Sequence, residues 1–197
     1  TGQNAITVIR GAPASFTKDE IDINVIKKSK IFLTQLEIPI DVTLYCLKKA
    51  KESGLINILN PAPACKLDKE FFSLADYFTP NEAEAEFYTG VKINNENDAK
   101  ESAKKLLELG LKKVIITLGE KGLFYSDGKE EIYIKALPFK KVEDTTGAGD
   151  AFNGGLAYAL SKNKNIKECL NIANQVAGLS TLNLGAGNSM PLLTDLK

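Results

Sequence analysis

The sequence contains no histidine, and its only arginine is Arg10. Without histidine, a Ser-His-Asp triad, a Cys-His pair and a His-ligated zinc ion are excluded. Any general base must therefore be Asp, Glu, Lys, Tyr or Cys. Because the remaining basic residues are all lysines, a bidentate guanidinium clamp on phosphate is nearly unavailable.

Other low counts disfavour further classes of protein. The 25 basic and 25 acidic residues balance, so no surface for nucleic acid or an acidic membrane is predicted. No apolar run approaches the roughly 18 residues of a membrane span. Three cysteines without a C-x-x-C pair suggest neither a disulfide framework nor a zinc site, and a reducing, cytoplasmic setting is expected. The 197 residues begin without methionine, so we expect a piece of a longer protein.

Apolar runs of strand length alternate with helical patterns along most of the chain. This alternation predicts an α/β fold with a mostly parallel sheet and helices on both faces. Strands are predicted at 5–9, 30–36, 55–59, 76–79, 113–118, 123–126 and 131–135. Helices are predicted at 39–54, 69–74, from 79 onward, 98–109, 150–160 and 166–181. The last two strands are expected to form a hairpin through Asp127-Gly128, and Thr79 with Glu82 is expected to cap the third helix.

The most specific feature is the segment VEDTTGAGDAFNGG at 142–155, which joins a strand-like region to a helix. Gly147, Ala148 and Gly149 fall just before or within the first helical turn. Free N–H groups there, with the positive end of the helix dipole, can hold an anion. A bound anion would repel Asp150 unless this carboxylate serves as base for a group attacking the anion, which suits phosphoryl transfer. The alternative is an acid that stabilises the helix start by at most about 1 kcal/mol.

Other glycine motifs do not fit this segment. The chain has no G-x-x-x-x-G-K-[ST], so a P-loop is excluded. Phe152 stands where the dinucleotide-binding fingerprint needs its last glycine. The protein-kinase signature set is also absent.

Residues 144–154, DTTGAGDAFNG, resemble the C-terminal signature of the ribokinase (PfkB-type) carbohydrate kinases. Further similar stretches follow the family order: TQLE at 34–37, NPAPA at 60–64, TPNEAE at 79–84, TLGEKG at 117–122 and GAGNS at 185–189. The resemblance covers nearly all of the chain. It implies a ribokinase-like three-layer α/β/α fold and an ATP-dependent sugar kinase, with D-ribose as the expected acceptor.

The resemblance also implies catalytic and sugar-binding roles. Asp150 would be the base toward the sugar hydroxyl, and the amides of Gly147, Ala148 and Gly149 would form the anion hole. Glu37, at the end of a predicted parallel strand, would hydrogen-bond to sugar hydroxyls. From spacing alone, a solvated acid before a helix is an equally good interpretation of Glu37.

Nucleotide and magnesium roles are implied for several other positions. The nucleotide-binding set is Asn81, Thr117, Leu118, Gly119, Glu120, Lys121, Gly122, Gly149, Asp150 and Asn174. Glu84 would act on the Mg²⁺ shell through water, as Mg²⁺ keeps most of its waters. The alternatives are that Glu84 complements the helix dipole, that Lys121 is a surface lysine and that Asn174 is a satisfied buried amide.

A monovalent-cation site is implied as well. Its residues would be Asp144, Thr146, Ser180, Asn183, Gly185 and Ser189. Backbone carbonyls with one carboxylate suit a large, weakly hydrated ion such as K⁺. The ion would order the loop that precedes the anion hole.

Members of this family carry an N-terminal portion with a sugar-binding motif and most of a β lid, which has no counterpart here. We therefore expect residues 1–16 to be a lid remnant and residues 17–197 to be the nucleotide-binding and catalytic domain. A homodimer is expected only where a lid is present. Alternatives are a kinase for fructose, a keto-deoxy sugar acid or a nucleoside, and a catalytically impaired nucleotide-binding fragment. A dinucleotide-binding module is the least favoured alternative, because the full fingerprint is absent.

Overall fold

The computed structural model describes residues 11–139 and 141–196. The predicted strand at 5–9 and the first ten residues of the predicted lid remnant lie outside this range. Among the described residues, no helix has both the length and the apolar character that a membrane crossing requires.

Six strands form one sheet in the order β1-β2-β3-β4-β5-β6. They are β1 Ile31–Thr34, β2 Ile56–Leu59, β3 Tyr77–Phe78, β4 Val114–Thr117, β5 Leu123–Ser126 and β6 Glu131–Ile134. β1 with β2, β2 with β3 and β3 with β4 pair in parallel. Only four residues separate β5 from β6, too few for a parallel crossover, so these neighbours form the expected hairpin. The mostly parallel α/β sheet is confirmed.

Seven α-helices are present in the described chain. They are α1 Ile23–Lys27, α2 Ile40–Glu52, α3 Lys69–Leu74, α4 Glu82–Thr89, α5 Glu96–Glu108, α6 Ala148–Ser161 and α7 Ile166–Ser180. Short 3₁₀ turns cover Ala12–Ser15, Lys18–Glu20, Gly119–Lys121, Gly187–Ser189 and Leu193–Asp195. All six predicted helices are present, and α1 is an addition.

The predicted start of α4 is wrong. Asn81, not Thr79, caps the helix, and its partner in the capping box is Glu84. The Thr79 N–H instead donates to the Leu59 carbonyl at 3.0 Å, which continues the pairing of β3 with β2. Thr79 therefore belongs to the sheet, and the helix can begin only after Pro80.

The chain groups into two compact units. Among the described residues, unit 1 contains Leu118–Leu123 and the chain from Tyr133 onward, and unit 2 contains residues 11–117 together with Phe124–Ile132. In unit 2, the runs that form β2 and β4 are almost completely buried, as expected of parallel strands covered on both faces.

In unit 1, α6 packs closely against α7. The contact depends on Gly155, because a Cβ at this position would lie 3.0 Å from both the Ala173 Cα and the Val176 Cβ. Leu156 and Leu170 are completely buried. Because Gly155 has no side chain, α6 can approach α7 closely at this point.

Candidate active site

The glycine-rich turn before α6 packs closely against Ala186 and Met190. Gly147 caps α6 with a φ of +77°, a left-handed conformation that favours glycine. A Cβ there would lie 3.1 Å from the Ala186 Cβ and 3.3 Å from the Met190 Cε. Since the helix begins directly after this turn, Asp150 is in its first turn.

The first intrahelical bond of α6 runs from the Ala151 N–H to the Gly147 carbonyl at 2.8 Å. Backbone amides before Ala151 therefore make no intrahelical hydrogen bond, and they form the positive end of the helix dipole. Of the predicted anion-hole amides, that of Ala148 already donates to the Thr145 carbonyl at 3.2 Å. An anion at this helix start would therefore share the Ala148 amide with the loop.

Asp144 organises the loop in front of the helix. Its Oδ1 accepts a hydrogen bond from the Thr146 N–H at 2.9 Å, and its Oδ2 accepts one from the Gly185 N–H at 3.0 Å. The Thr146 side chain, the Thr146 amide and the Gly185 amide together lower the pKa of Asp144. An ionised Asp144 thus ties this loop to the turn after α7.

The other residues of the predicted cation site lie in the same part of unit 1. The Glu143 and Asp144 amides both donate to the Thr181 carbonyl, the residue after Ser180. The Ser189 hydroxyl donates to the Ala186 carbonyl at 2.8 Å, beside Gly147. A carboxylate among loop carbonyls is a donor set that fits a large monovalent cation. The described residues contain no group of three or more His, Cys, Asp or Glu side chains placed to hold a metal ion.

The turn at 118–122 has a backbone that favours glycine at two positions. The Leu118 N–H donates to the Gly122 carbonyl at 2.8 Å, which closes the turn. Gly119 and Gly122 have φ values of +54° and +107°. A Cβ at Gly122 would overlap the Ile134 carbonyl oxygen. Tyr133 of β6 also holds the turn, because its hydroxyl donates to the Lys121 carbonyl at 2.8 Å.

A cleft of about 570 Å³ lies within unit 1, between the segment after β6 and helix α7. Leu137, Phe139 and Leu179 provide apolar walls, and Asn174 provides an amide. The Asn174 Nδ2 donates to the Lys135 carbonyl at 2.9 Å, so this amide also holds the segment against α7. Sequence reasoning missed Leu137 and Phe139, since apolar residues in an irregular, proline-containing segment have no characteristic spacing.

In unit 2, Asn81 and Glu84 are bound to each other. The Asn81 N–H and Nδ2 donate to the two Glu84 carboxylate oxygens at 2.8 and 2.9 Å, and Asn81 Oδ1 accepts from the Glu84 N–H. Burial raises the pKa of Glu84, against a smaller lowering by the Asn81 N–H. One carboxylate of this kind fits water-mediated contact with Mg²⁺.

Unit 2 also brings two pairs of sequence-predicted segments together. Asn81 and Thr117 form a parallel bridge, and the Thr117 N–H donates to the Pro80 carbonyl at 2.9 Å. Glu37 is exposed directly after β1, and the preceding Leu36 N–H donates to the Ala62 carbonyl at 2.9 Å. Glu37 thus lies at the carboxyl end of a parallel strand, where α/β sheets bind ligands.

The described α/β fold and the glycine-rich segment before α6 agree with one family of enzymes. The family model described as pfkB family carbohydrate kinase matches residues 1–193. The chain therefore belongs to the pfkB family of carbohydrate kinases.

Individual relatives agree with this assignment. The chain is 36% identical to a ribokinase of Staphylococcus aureus over 99% of its own length and 65% of the relative's. It is similar to the structure of a Thermotoga maritima ribokinase, with a TM-score of 0.86, 39% identity, and coverage of 98% of this chain and 64% of that one. For an Arabidopsis thaliana ribokinase complexed with ribose and ATP, the TM-score is 0.89, the identity 31%, and the coverage 96% and 62%. The chain thus spans less than two thirds of each relative.

Proposed function

We propose that the chain is the nucleotide-binding and catalytic part of an ATP-dependent sugar kinase that converts D-ribose to ribose 5-phosphate. The observation that carries this proposal is the turn at Gly147–Asp150, which combines a helix start suited to an anion with a carboxylate in the same turn. Family membership and the ribokinase relatives support it. The ribose and ATP named for the Arabidopsis structure support the two substrates.

In this proposal, Asp150 accepts the proton of the sugar primary hydroxyl as that oxygen attacks the γ-phosphorus. The new O–P bond forms while the bond from the γ-phosphorus to the bridging oxygen breaks, and ADP leaves. The amides of Gly147 to Gly149 stabilise charge on the moving phosphoryl group. Glu37 accepts hydrogen bonds from other sugar hydroxyls.

Nucleotide binding is assigned to the turn at 118–122 and to the cleft beside Asn174. The turn's backbone borders the phosphates, and the apolar cleft walls cover the adenine. Asn81 and Thr117 complete the nucleotide set in unit 2. Glu84 would hold Mg²⁺ through water, and the ion would supply positive charge against the phosphates.

The loop ordered by Asp144 is proposed to hold K⁺ through its own carboxylate and neighbouring carbonyls. Thr146, Ser180, Asn183, Gly185 and Ser189 complete the set. The ion would keep Gly147 in its left-handed conformation before the helix. At constant ionic strength, replacing Na⁺ by K⁺ should raise kcat, and an unchanged kcat would remove this part of the proposal.

The decisive experiment is the substitution Asp150→Asn, which keeps the shape of the side chain and removes the base. We expect kcat for ribose-dependent ADP release to fall by at least about 100-fold, the lower end of general-base effects. ATP binding measured by calorimetry should change little. Turnover equal to that of the parent chain would contradict the role of Asp150.

A second candidate is a nucleotide-binding chain with weak sugar phosphorylation, favoured by its coverage of less than two thirds of its relatives. For both candidates, residues 17–197 are proposed as the nucleotide-binding and catalytic domain and residues 1–16 as a lid remnant. Strong ribose-dependent ADP release would reject this candidate. A panel of ribose, fructose, a keto-deoxy sugar acid and a nucleoside as substrates would identify the acceptor.

The three free cysteines support the proposal of a reducing, cytoplasmic setting.

A further inference from the structure

Asn153 is an unusual residue for its place in α6. It lies in the middle of a helix, where asparagine is a poor helix former. Its side chain is only 4% exposed, so it is also removed from water. A buried side-chain amide costs stability unless its hydrogen bonds are made, so the hydrogen bonds of Asn153 decide whether the residue is tolerated here.

That partner is the carbonyl of Gly149. The Asn153 Nδ2 donates to this oxygen at 2.9 Å, one helical turn back. By helix geometry, the same carbonyl also accepts from the Asn153 backbone N–H. A carbonyl has two lone pairs, so both bonds can form together.

Gly149 has few other restraints. Apart from its chain neighbours and the backbone of its own helix, a Cβ built at this position would meet no atom within 4 Å, so packing against other parts of the chain does not confine this part of the turn. Glycine also has the widest choice of backbone angles. The side-chain bond from Asn153 therefore restrains a peptide that the surrounding packing leaves open.

The restrained peptide joins Gly149 to Asp150. Its carbonyl and N–H point in opposite directions, so a carbonyl held toward Asn153 directs the Asp150 N–H toward the helix start. A hydrogen bond at the carbonyl also polarises the peptide and strengthens its N–H as a donor. Both effects act next to the proposed anion-hole amides of Gly147 to Gly149 and at Asp150, whose position the proposed function requires to be fixed.

We propose that Asn153 is a positioning residue for phosphoryl transfer, which holds the Gly149–Asp150 peptide by its bond to the Gly149 carbonyl. The inference rests on the proposed function for its effect on turnover. The restraint on the turn is a separate consequence that can be measured without substrates. Asn153 acts through Gly149 and Asp150 and has no contact with the reacting atoms in this account.

The test compares Asn153→Val with Asn153→Thr, two side chains of the same shape that differ in one hydroxyl. This chain shows that threonine can donate to the carbonyl four residues back, as Thr43 does to Pro39 at 3.3 Å and Thr89 to Ala85 at 2.7 Å. Threonine at 153 should therefore restore the bond, and valine should not. Thr43→Val is the matched control, because it removes a buried bond of the same kind at the start of α2.

Two readouts are required. Nitrogen-15 relaxation of the substrate-free chain should show greater motion at Gly149 and Asp150 in Asn153→Val, and values near the parent's in Asn153→Thr. In steady-state assays, Asn153→Val should lower kcat about tenfold, the effect of one hydrogen bond, with KM for ATP and ribose within about twofold of the parent. Asn153→Thr should recover most of the kcat, and Thr43→Val should keep it.

The outcomes separate this proposal from the proposed function. Unchanged motion and kcat in Asn153→Val would overturn the positioning role. A raised KM with unchanged kcat, or an equal loss of kcat in Thr43→Val, would also overturn it, because either marks a merely structural effect. Greater motion at the turn in a chain that phosphorylates no sugar would support the restraint by Asn153 and reject the proposed function.

Discussion

Two glycines with nearly the same backbone angle have different reasons to be glycine. Gly110 ends α5 with a φ of +106°, and a Cβ there would meet no atom within 4 Å. Gly122 closes the turn at 118–122 with a φ of +107°, and a Cβ there would overlap the backbone around Ile134 and Lys135. Only the second position therefore combines an unfavourable φ with a steric conflict.

This pair gives a matched prediction. Gly110→Ala should cost about 1–2 kcal/mol of stability, the cost of a left-handed residue. Gly122→Ala should cost more and should also weaken ATP binding, because backbone atoms of the turn must move. Denaturant unfolding and calorimetry with ATP measure the two effects. An unchanged ATP affinity in Gly122→Ala would count against the nucleotide role of this turn.

Single residues also show what the sequence could and could not predict about the site. The placement of Gly147 and Asp150 at a helix start was predictable because the glycine-rich string stands next to a helical pattern. The capping of α4 by Asn81 was missed, because Thr79 has the same local signature and is excluded only by its bond to Leu59 in β2. That bond joins residues 20 positions apart, which local patterns do not reveal.

At the scale of elements, the contact of α6 with α7 depends on one of two neighbouring glycines. Gly154 is exposed, and a Cβ there would meet nothing within 4 Å. Gly155 is buried, and a Cβ there would lie 3.0 Å from the Ala173 Cα and the Val176 Cβ. Neither glycine has a positive φ, so helix propensity and packing alone decide the effect of a methyl group.

Adjacent alanine substitutions should therefore have opposite signs. Gly154→Ala should stabilise the chain by about 0.5–1 kcal/mol, the difference in helix propensity. Gly155→Ala should destabilise it by about 1–3 kcal/mol, because α6 and α7 must separate to admit the methyl group. Urea unfolding measures the change in the free energy of unfolding for each variant. A change of the same sign in both would contradict the packing of α6 against α7.

Asp76 joins several elements of unit 2. Its Oδ1 accepts from the Lys51 and Lys112 ammonium groups at 2.6 and 3.1 Å, and its Oδ2 accepts from the Asn57 N–H at 3.0 Å. Burial acts to raise the pKa of Asp76, but the Asn57 N–H and the two lysines outweigh it and lower the pKa. The ionised form is therefore favoured by folding.

The sign of the pH effect follows from this lowered pKa. Asp76 contributes stability above its unfolded pKa of about 3.9, and the contribution is lost as pH falls toward the lower folded pKa. Asp76→Asn should cost about 1.5–3 kcal/mol at pH 7 and should lose less stability than the parent between about pH 5 and 3. Thermal unfolding across this range measures both. Glu86→Gln, an exposed change on α4, is the control and should follow the parent.

For the sheet, sequence patterns were informative because buried parallel strands leave long apolar runs. The run at 113–118 contains β4, and the one at 55–59 contains β2. The cleft beside Asn174 was not predictable to the same extent. Its walls come from α7 and an irregular segment about 35 residues earlier in the chain, and only the tertiary fold brings them together.

At the scale of the whole molecule, the sites lie in two compact units. Unit 1 holds Asp150, the loop ordered by Asp144 and the cleft beside Asn174. Unit 2 holds Glu37 and the Asn81–Glu84 pair. The chain spans about 62–65% of the relatives compared above. The proposed function predicts nucleotide binding and ribose-dependent ADP release by these 197 residues.

The most direct measurement of the central claim is phosphorus-31 NMR of the chain with ATP, Mg²⁺, K⁺ and D-ribose. The account predicts ribose-dependent formation of ADP and of a sugar phosphomonoester at O5, which Asp150→Asn slows by at least about 100-fold. Incubation without sugar is the control and should leave ATP nearly intact. Release of ADP that is independent of ribose, or a phosphomonoester formed at the parent's rate by Asp150→Asn, would contradict a sugar kinase that uses Asp150 as its base.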